Sequence, residues 1–243
     1  RRIRVDREIP SESYALADWA DRRSKFYQDA QLKKFSEELR LQGFRAEWNQ
    51  LPSDDAQDRL ALAERSILLG IPSDLREELI HEAYRISIRA AEKSPTPDWK
   101  QLGTEIARDS PGAEAPLSTA PEFGKLREDY LRSPEKIYRT ASPEARVSLH
   151  RVLWGEVKRR ELLARAELDP AKGSELAGEL QKLLPEYQAE AEKLRDDLLM
   201  KRGHDVEKLT RRQLLELRDD LLTKKKKMEA DKIVDDWLAL RKQ

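Results

Sequence analysis

Apolar residues recur along this chain at intervals of three and four, the spacing of helices that bury one face. Pro10, Ser11 and Ser13 offer a helix start, and Tyr14, Leu16 and Trp19 supply its apolar side. Leu32, Phe35 and Leu39 predict a second helix from Ala30 to about Trp48. Pro52-Ser53-Asp54-Asp55 then places a capping hydroxyl and two carboxylates at a helix N-terminus, where free N–H groups and the helix dipole favour them. Beyond it Leu60, Ala63, Ile67 and Leu68 face one way. Gly70 and Pro72-Ser73-Asp74 repeat the stop and start signals before a fourth stripe of Leu75, Leu79, Ala83, Ile86 and Ala90. Ser94-Pro95-Thr96-Pro97 ends that helix, because proline lacks a donor and biases the residue before it away from helical geometry. Asp98 caps a short helix carrying Trp99, Leu102 and Ile106.

From Asp109 to Pro121 the pattern lapses into Pro111, Gly112, Pro116 and Pro121 among small residues, which predicts a linker at 109–121. It separates an N-terminal helical region, 1–108, from a C-terminal region of longer helices, 122–243. There Ser133-Pro134-Glu135 and Ser142-Pro143-Glu144 each set a cap, a proline at the first helical position and an acid in the first turn. The second opens a helix to about Leu168 that carries Val152, Leu153, Val157 and Leu163. Ser174 to Met200 reads as helical, with a restart or kink at Pro185 and a stop at Gly203. Thr210 and Gln213 form a capping box before a leucine stripe. Leu214, Leu217, Leu221, Ile233, Val234 and Trp237 are the candidate partner interface, since dense charge between the stripes leaves little for mutual burial.

Composition sharpens the fold class. The chain has 35 Leu against 10 Ile and 6 Val, and leucine favours helices where β-branched residues favour strands. An all-α protein is expected: a compact N-terminal module followed by long charged helices, partly extended or coiled-coil-like. Charged residues make up 39% of the 243 positions, so much of the chain is solvated face or polar interface. Lys plus Arg and Asp plus Glu number 47 each, which removes the net basic charge of a protein held mainly by phosphates. No apolar run approaches the roughly 20 residues that span a bilayer. The absence of cysteine rules out disulfides, thiolate nucleophiles and Cys-ligated zinc.

Candidate chemistry is sparse. His81, His150 and His204 stand far apart in sequence without a second histidine at metal-binding spacing, and read as solvated or interfacial. No Walker loop, patterned glycine turn or nucleophile elbow is present, so no cofactor is expected. The pairs Asp54 and Asp55, Asp196 and Asp197, and Asp219 and Asp220 read as caps and solvated faces in so charged a chain. The Lys224 to Lys227 run is bracketed by Asp219, Asp220, Glu229 and Asp231, which largely cancel its field.

Two resemblances add to this. Pro10 with Ser13-Tyr14, Phe35-Ser36-Glu37, Trp48 with Leu51, and the capped start at Pro52-Ser53-Asp54-Asp55 resemble an HMG box over residues 10–68. That likeness implies a three-helix L whose corner is packed by Tyr14, Phe35 and Trp48, the candidate aromatic core. HMG boxes that bend DNA are strongly basic and wedge apolar side chains into the minor groove. Residues 1 to 70 hold 13 basic and 13 acidic side chains, and Asp6 and Glu8 interrupt the arginines Arg1, Arg2, Arg4 and Arg7, so DNA work is expected to be lost. Asp205-Val206-Glu207-Lys208-Leu209-Thr210 with Leu214 is similar to subunit d of the mitochondrial ATP synthase peripheral stalk, a noncatalytic family. The combined expectation is a structural, nonenzymatic subunit of a large multiprotein assembly. A mitochondrial complex such as ATP synthase fits best, with other subunits as partners and any membrane contact made through them. HMG-box-like nucleic-acid binding is the alternative.

Overall fold

The computed structural model describes residues 9–110, 112–113, 121–169, 172–204, 210–223 and 226–240. The N-terminal arginines, most of the 109–121 segment, 205–209 of the C-terminal likeness, and Lys224 and Lys225 lie outside them. Among the described residues every regular element is helical, so the fold is all-α. The helices are α1 (Pro10–Tyr27), α2 (Ala30–Gln50), α3 (Ala56–Leu69), α4 (Ser73–Lys93), α5 (Trp99–Asp109), α6 (Pro121–Arg132), α7 (Pro134–Thr140), α8 (Pro143–Leu168), α9 (Gly173–Leu183), α10 (Gln188–His204), α11 (Arg211–Thr223) and α12 (Lys227–Leu240). None is long and apolar enough to cross a membrane.

The chain divides by its own contacts into two units, Arg1–Trp154 and Gly155–Gln243, with the boundary inside α8. The expected division at 109–121 lies instead within the first unit. Two packing facts account for this. Ala113 is buried, and its carbonyl accepts from Arg151 at 3.5 Å. Residues beyond the segment also return to α4: the Arg146 guanidinium donates to the Asp74 carbonyl at 3.3 Å, and Arg139 pairs with Glu78 at 2.8 Å.

In the first unit α1 and α2 form a hairpin. The small residues Ser13, Ala17, Ala20 and Ser24 make the buried face of α1, and Ser36 and Gly43 meet them from α2. The Ser36 hydroxyl donates to the Ala17 carbonyl at 2.8 Å, and a Cβ on Gly43 would stand 2.9 Å from the Tyr14 ring. Close approach of the two backbones thus depends on residues too small to register as an apolar stripe. Asp29 caps α2 by accepting from the amides of Gln31 and Leu32, and Asp55 caps α3 by accepting from that of Asp58. Gly70, at φ 67°, closes α3 with a left-handed residue and sends the chain straight into α4. Phe44, Leu62, Ala63 and Leu79 then join α2, α3 and α4 in one core, with Trp48, Leu51, Ile71, Leu75 and Ile80 against it.

The second unit contains two helix pairs. α9 and α10 pack on each other around a short 3₁₀ turn at Pro185–Tyr187, where the sequence signals a restart, and Leu176, Ala177 and Leu180 of α9 and Ala191 of α10 are buried. α10 runs through Gly203 to His204, past the expected stop. A single glycine costs a helix only about 1 kcal/mol relative to alanine, which does not end it by itself. α11 and α12 form a hairpin whose core is Leu214, Leu217, Leu221, Ala230 and Ile233, with Trp237 against it. The C-terminal stripe expected to await a partner is therefore covered within the chain. The two stripes are complementary: leucines on α11 meet the small Ala230 and Ile233 on α12.

Candidate protein-docking site

The α3–α4 hairpin carries a cleft of about 210 Å³. Leu60, Ala63, Glu64 and Ile67 line it from one face of α3, at the spacing of a single helical stripe. Arg76, Glu77 and Ile80 line it from α4, and Asp109 at the end of α5 closes it. The tight turn at Gly70 fixes the register of these two faces: the Gly70 amide donates to the Ile67 carbonyl at 3.2 Å and the Ile71 amide to that of Ser66 at 3.0 Å. The floor is aliphatic and the rim is charged. Three carboxylates, on Glu64, Glu77 and Asp109, face one guanidinium, on Arg76. Asp109 is already engaged: it accepts from the Tyr84 hydroxyl at 2.7 Å, and the adjacent Arg108 guanidinium holds its carboxyl below the usual range. Ile67 of the lining is 61% exposed and its chain neighbour Leu68 88%, the largest aliphatic exposures among the described residues of the first unit. An apolar floor with a mostly acidic rim suits an aliphatic side chain flanked by a cation.

The expected aromatic corner does not assemble. Tyr14 sits between α1 and α2, its hydroxyl donating to Glu47 at 2.9 Å, and Glu47 also pairs with Arg65 of α3. Burial pushes the Tyr14 phenol well above its ordinary range. Trp48 faces α4: its indole N–H donates to Glu82 at 2.9 Å and its ring stands edge-on to Phe44, centroids 5.9 Å apart. Phe35 is 42% exposed and is not a core residue, because the tight α1–α2 contact selects Ser36 and Leu39 instead. Of the candidate interface residues Val234 is partly buried, and the others are those of the α11–α12 core.

Two of the three histidines depart from the solvated reading. His81 on α4 and His150 on α8 are 1% and 2% exposed, and the buried Tyr130 of α6 and Tyr138 of α7 lie with them. The Tyr130 hydroxyl is hydrogen-bonded to His81 at 2.6 Å, the Tyr138 hydroxyl to His150. His81 and Tyr138 stack at 3.9 Å between centroids, with the Arg146 guanidinium 5.1 Å from the Tyr138 ring. Burial holds His81 neutral, well below its ordinary pKa, and His150, Arg85, Arg146 and Arg139 add to this. The available sequence signal is that His81, Tyr84 and Ile88 make a second buried stripe on α4, beside that of Leu79, Ala83 and Ile86. The side chain of His204 lies outside the described residues. Among the described residues no group of three His, Asp or Glu side chains is placed to hold a metal ion. Comparison of the chain with protein-family models, curated proteins and solved structures finds no match.

Proposed function

We propose that this chain is a noncatalytic structural subunit of a larger protein assembly, docked through the α3–α4 cleft. The observation that carries the reading is the aliphatic cleft whose lining includes the exposed Ile67, with the exposed Leu68 next to it in the chain. Solvent-exposed aliphatics beside a pocket, rimmed by charge, mark a surface meant for another protein. The equal numbers of basic and acidic residues support a protein partner over a phosphate backbone. Within this reading a mitochondrial assembly such as an ATP synthase is the specific proposal. It rests on the C-terminal likeness to the peripheral-stalk subunit, whose capping threonine, Thr210, opens α11.

Density-gradient sedimentation of cell extracts, followed by mitochondrial fractionation, tests it. The native chain is expected in a fraction far above its own 28.2 kDa, and Leu68→Asp with Ile67→Asp should move it to the top. The same pair lies in the last turn of α3, where aspartate opposes the helix dipole, so it should cost about 1–2 kcal/mol while the chain stays folded. A native chain that sediments alone overturns the assembly, and one that stays out of mitochondria overturns the location. Submicromolar binding to duplex DNA with a steep salt slope would promote the nucleic-acid reading in its place.

A further inference from the structure

A second surface of the first unit lies apart from that cleft. Trp19, Arg22, Arg23, Phe26 and Tyr27 occupy successive turns of α1 at the spacing of one helical face, different from the small-residue face packed on α2. All five are exposed: Trp19 is 45%, Phe26 79% and Tyr27 60% accessible. The Arg23 guanidinium lies 5.4 Å from the centre of the Trp19 ring and 5.9 Å from that of Tyr27, and Phe26 meets Tyr27 edge-on at 4.9 Å. The cluster is therefore organised before anything binds it.

Its charge is unspent. Arg22 donates to the Asp18 carbonyl and Arg23 to the Tyr27 hydroxyl, and among the described residues neither guanidinium is paired with a carboxylate. The neighbouring cations differ: Lys25 is bound to Asp21, and Arg40 of α2 to Asp18 and Asp21. Stacking on aromatic rings occupies the face of a guanidinium and leaves the N–H edge free to take a carboxylate in two parallel hydrogen bonds. Trp, Tyr and Arg are also the side chains that dominate binding energy at protein interfaces.

We propose that this face of α1 binds an acidic amphipathic helix of a partner protein, with carboxylates on Arg22 and Arg23 and aliphatic side chains on Trp19 and Phe26. A nucleic-acid strand fits less well. Phosphate binding draws on many cations along a strand, and this face offers two guanidinium groups among aromatic rings. The inference rests on this patch, not on the α3–α4 cleft, so a chain with both surfaces would bridge two neighbours.

Photo-crosslinking of the full-length chain in its own cells tests this, with a benzophenone amino acid in place of Phe26 and the captured peptide sequenced by mass spectrometry. The expected product is a segment with helical spacing of Leu or Ile and with Asp or Glu alongside. Arg22→Glu with Arg23→Glu should reduce its yield at least tenfold at unchanged helical content. Arg23→Met, which keeps the stem and removes the charge, should reduce it in the same direction. Capture of nucleic acid, capture of a basic or uncharged segment, or a yield indifferent to these substitutions overturns the proposal. So does absence of a product while the chain still sediments in a large assembly, an outcome that leaves the cleft reading standing. Capture of an acidic helix by a chain that sediments with that one protein alone supports the patch and removes the larger assembly.

Discussion

Trp48 joins two kinds of interaction in one side chain, ring packing on Phe44 and an indole hydrogen bond to Glu82. Glu82 also takes Arg139 from α7 and lies 3.5 Å from Arg59 of α3, so removing Trp48 frees one anchor of a junction shared by four helices. Trp48→Ala is expected to cost about 3 kcal/mol in chemical denaturation, as large aromatic truncations do. Trp48→Phe keeps a ring on Phe44 and should cost about 1 kcal/mol, the net worth of a hydrogen bond. A loss below about 1 kcal/mol for the alanine variant would show that the ring is not part of the core. Phe35 supplies the contrast, since with its exposed ring Phe35→Ala should cost less than half as much. The sequence pattern treats both as core because it weighs size, and α2 against α1 is chosen for smallness: Ser36 and Gly43 are buried where Phe35 is not.

Some helix ends, written in local chemistry, were legible in the sequence; others were not, since α10 runs through Gly203 and neither α1 nor α7 starts with a side-chain cap. Asp98 and Gly70 cap where their residue types say, α3 is capped by the Asp55 carboxylate in place of the Ser53 hydroxyl, and Thr210 and Gln213 exchange the hydrogen bonds of a capping box. The polar core of α4 was not legible, because it depends on α6, α7 and α8 arriving from 49 to 69 residues away: Tyr130 and His150 reach His81 through tertiary packing alone. That core carries a pH dependence. The folded pKa of His81 is depressed below the ordinary histidine value of 6.5, so the unfolded chain takes up the proton first and stability falls as pH drops below about 6.5. Charging His81 would place a cation near His150, Arg85, Arg146 and Arg139. Thermal melts are expected to hold steady from pH 8 to 7 and to decline from pH 6.5 to 5. His81→Leu should cost about 1–3 kcal/mol at pH 7.5, because the buried Tyr130 hydroxyl loses this partner. It should also shrink the decline between pH 6.5 and 5, and a decline unchanged in His81→Leu would assign the effect to other groups.

Over the whole molecule the question is which apolar surface the chain keeps for itself. A sequence with 39% charged residues suggests stripes too thin to cover each other, and on that arithmetic α11 and α12 looked like an interface. Burial is set by geometry as well as by area. Leu214, Leu217 and Leu221 lie on one line of α11 and meet Ala230 and Ile233, whose small and branched side chains let the helices close; Leu217 and Leu221 are 0% exposed. The charged residues between them point outward and pair locally, as Arg212 does with Glu216 and Arg218 with Asp219. Such exposed pairs contribute little, so the hairpin is held by its leucines. Apolar side chains also stay exposed elsewhere, Leu168 and Met228 among them, but those of the first unit gather at the end of α3 and on one face of α1. Hydrogen exchange of the full-length chain in isolation separates the two views. The amides of Leu217, Leu221 and Ile233 are expected to be protected at least a hundredfold without any partner, whereas exchange at the free-peptide rate would return the stripe to the surface. Addition of the parent assembly should leave those amides unchanged and slow exchange around Ile67 and Leu68, because Ile67 lines the α3–α4 cleft and both side chains are exposed.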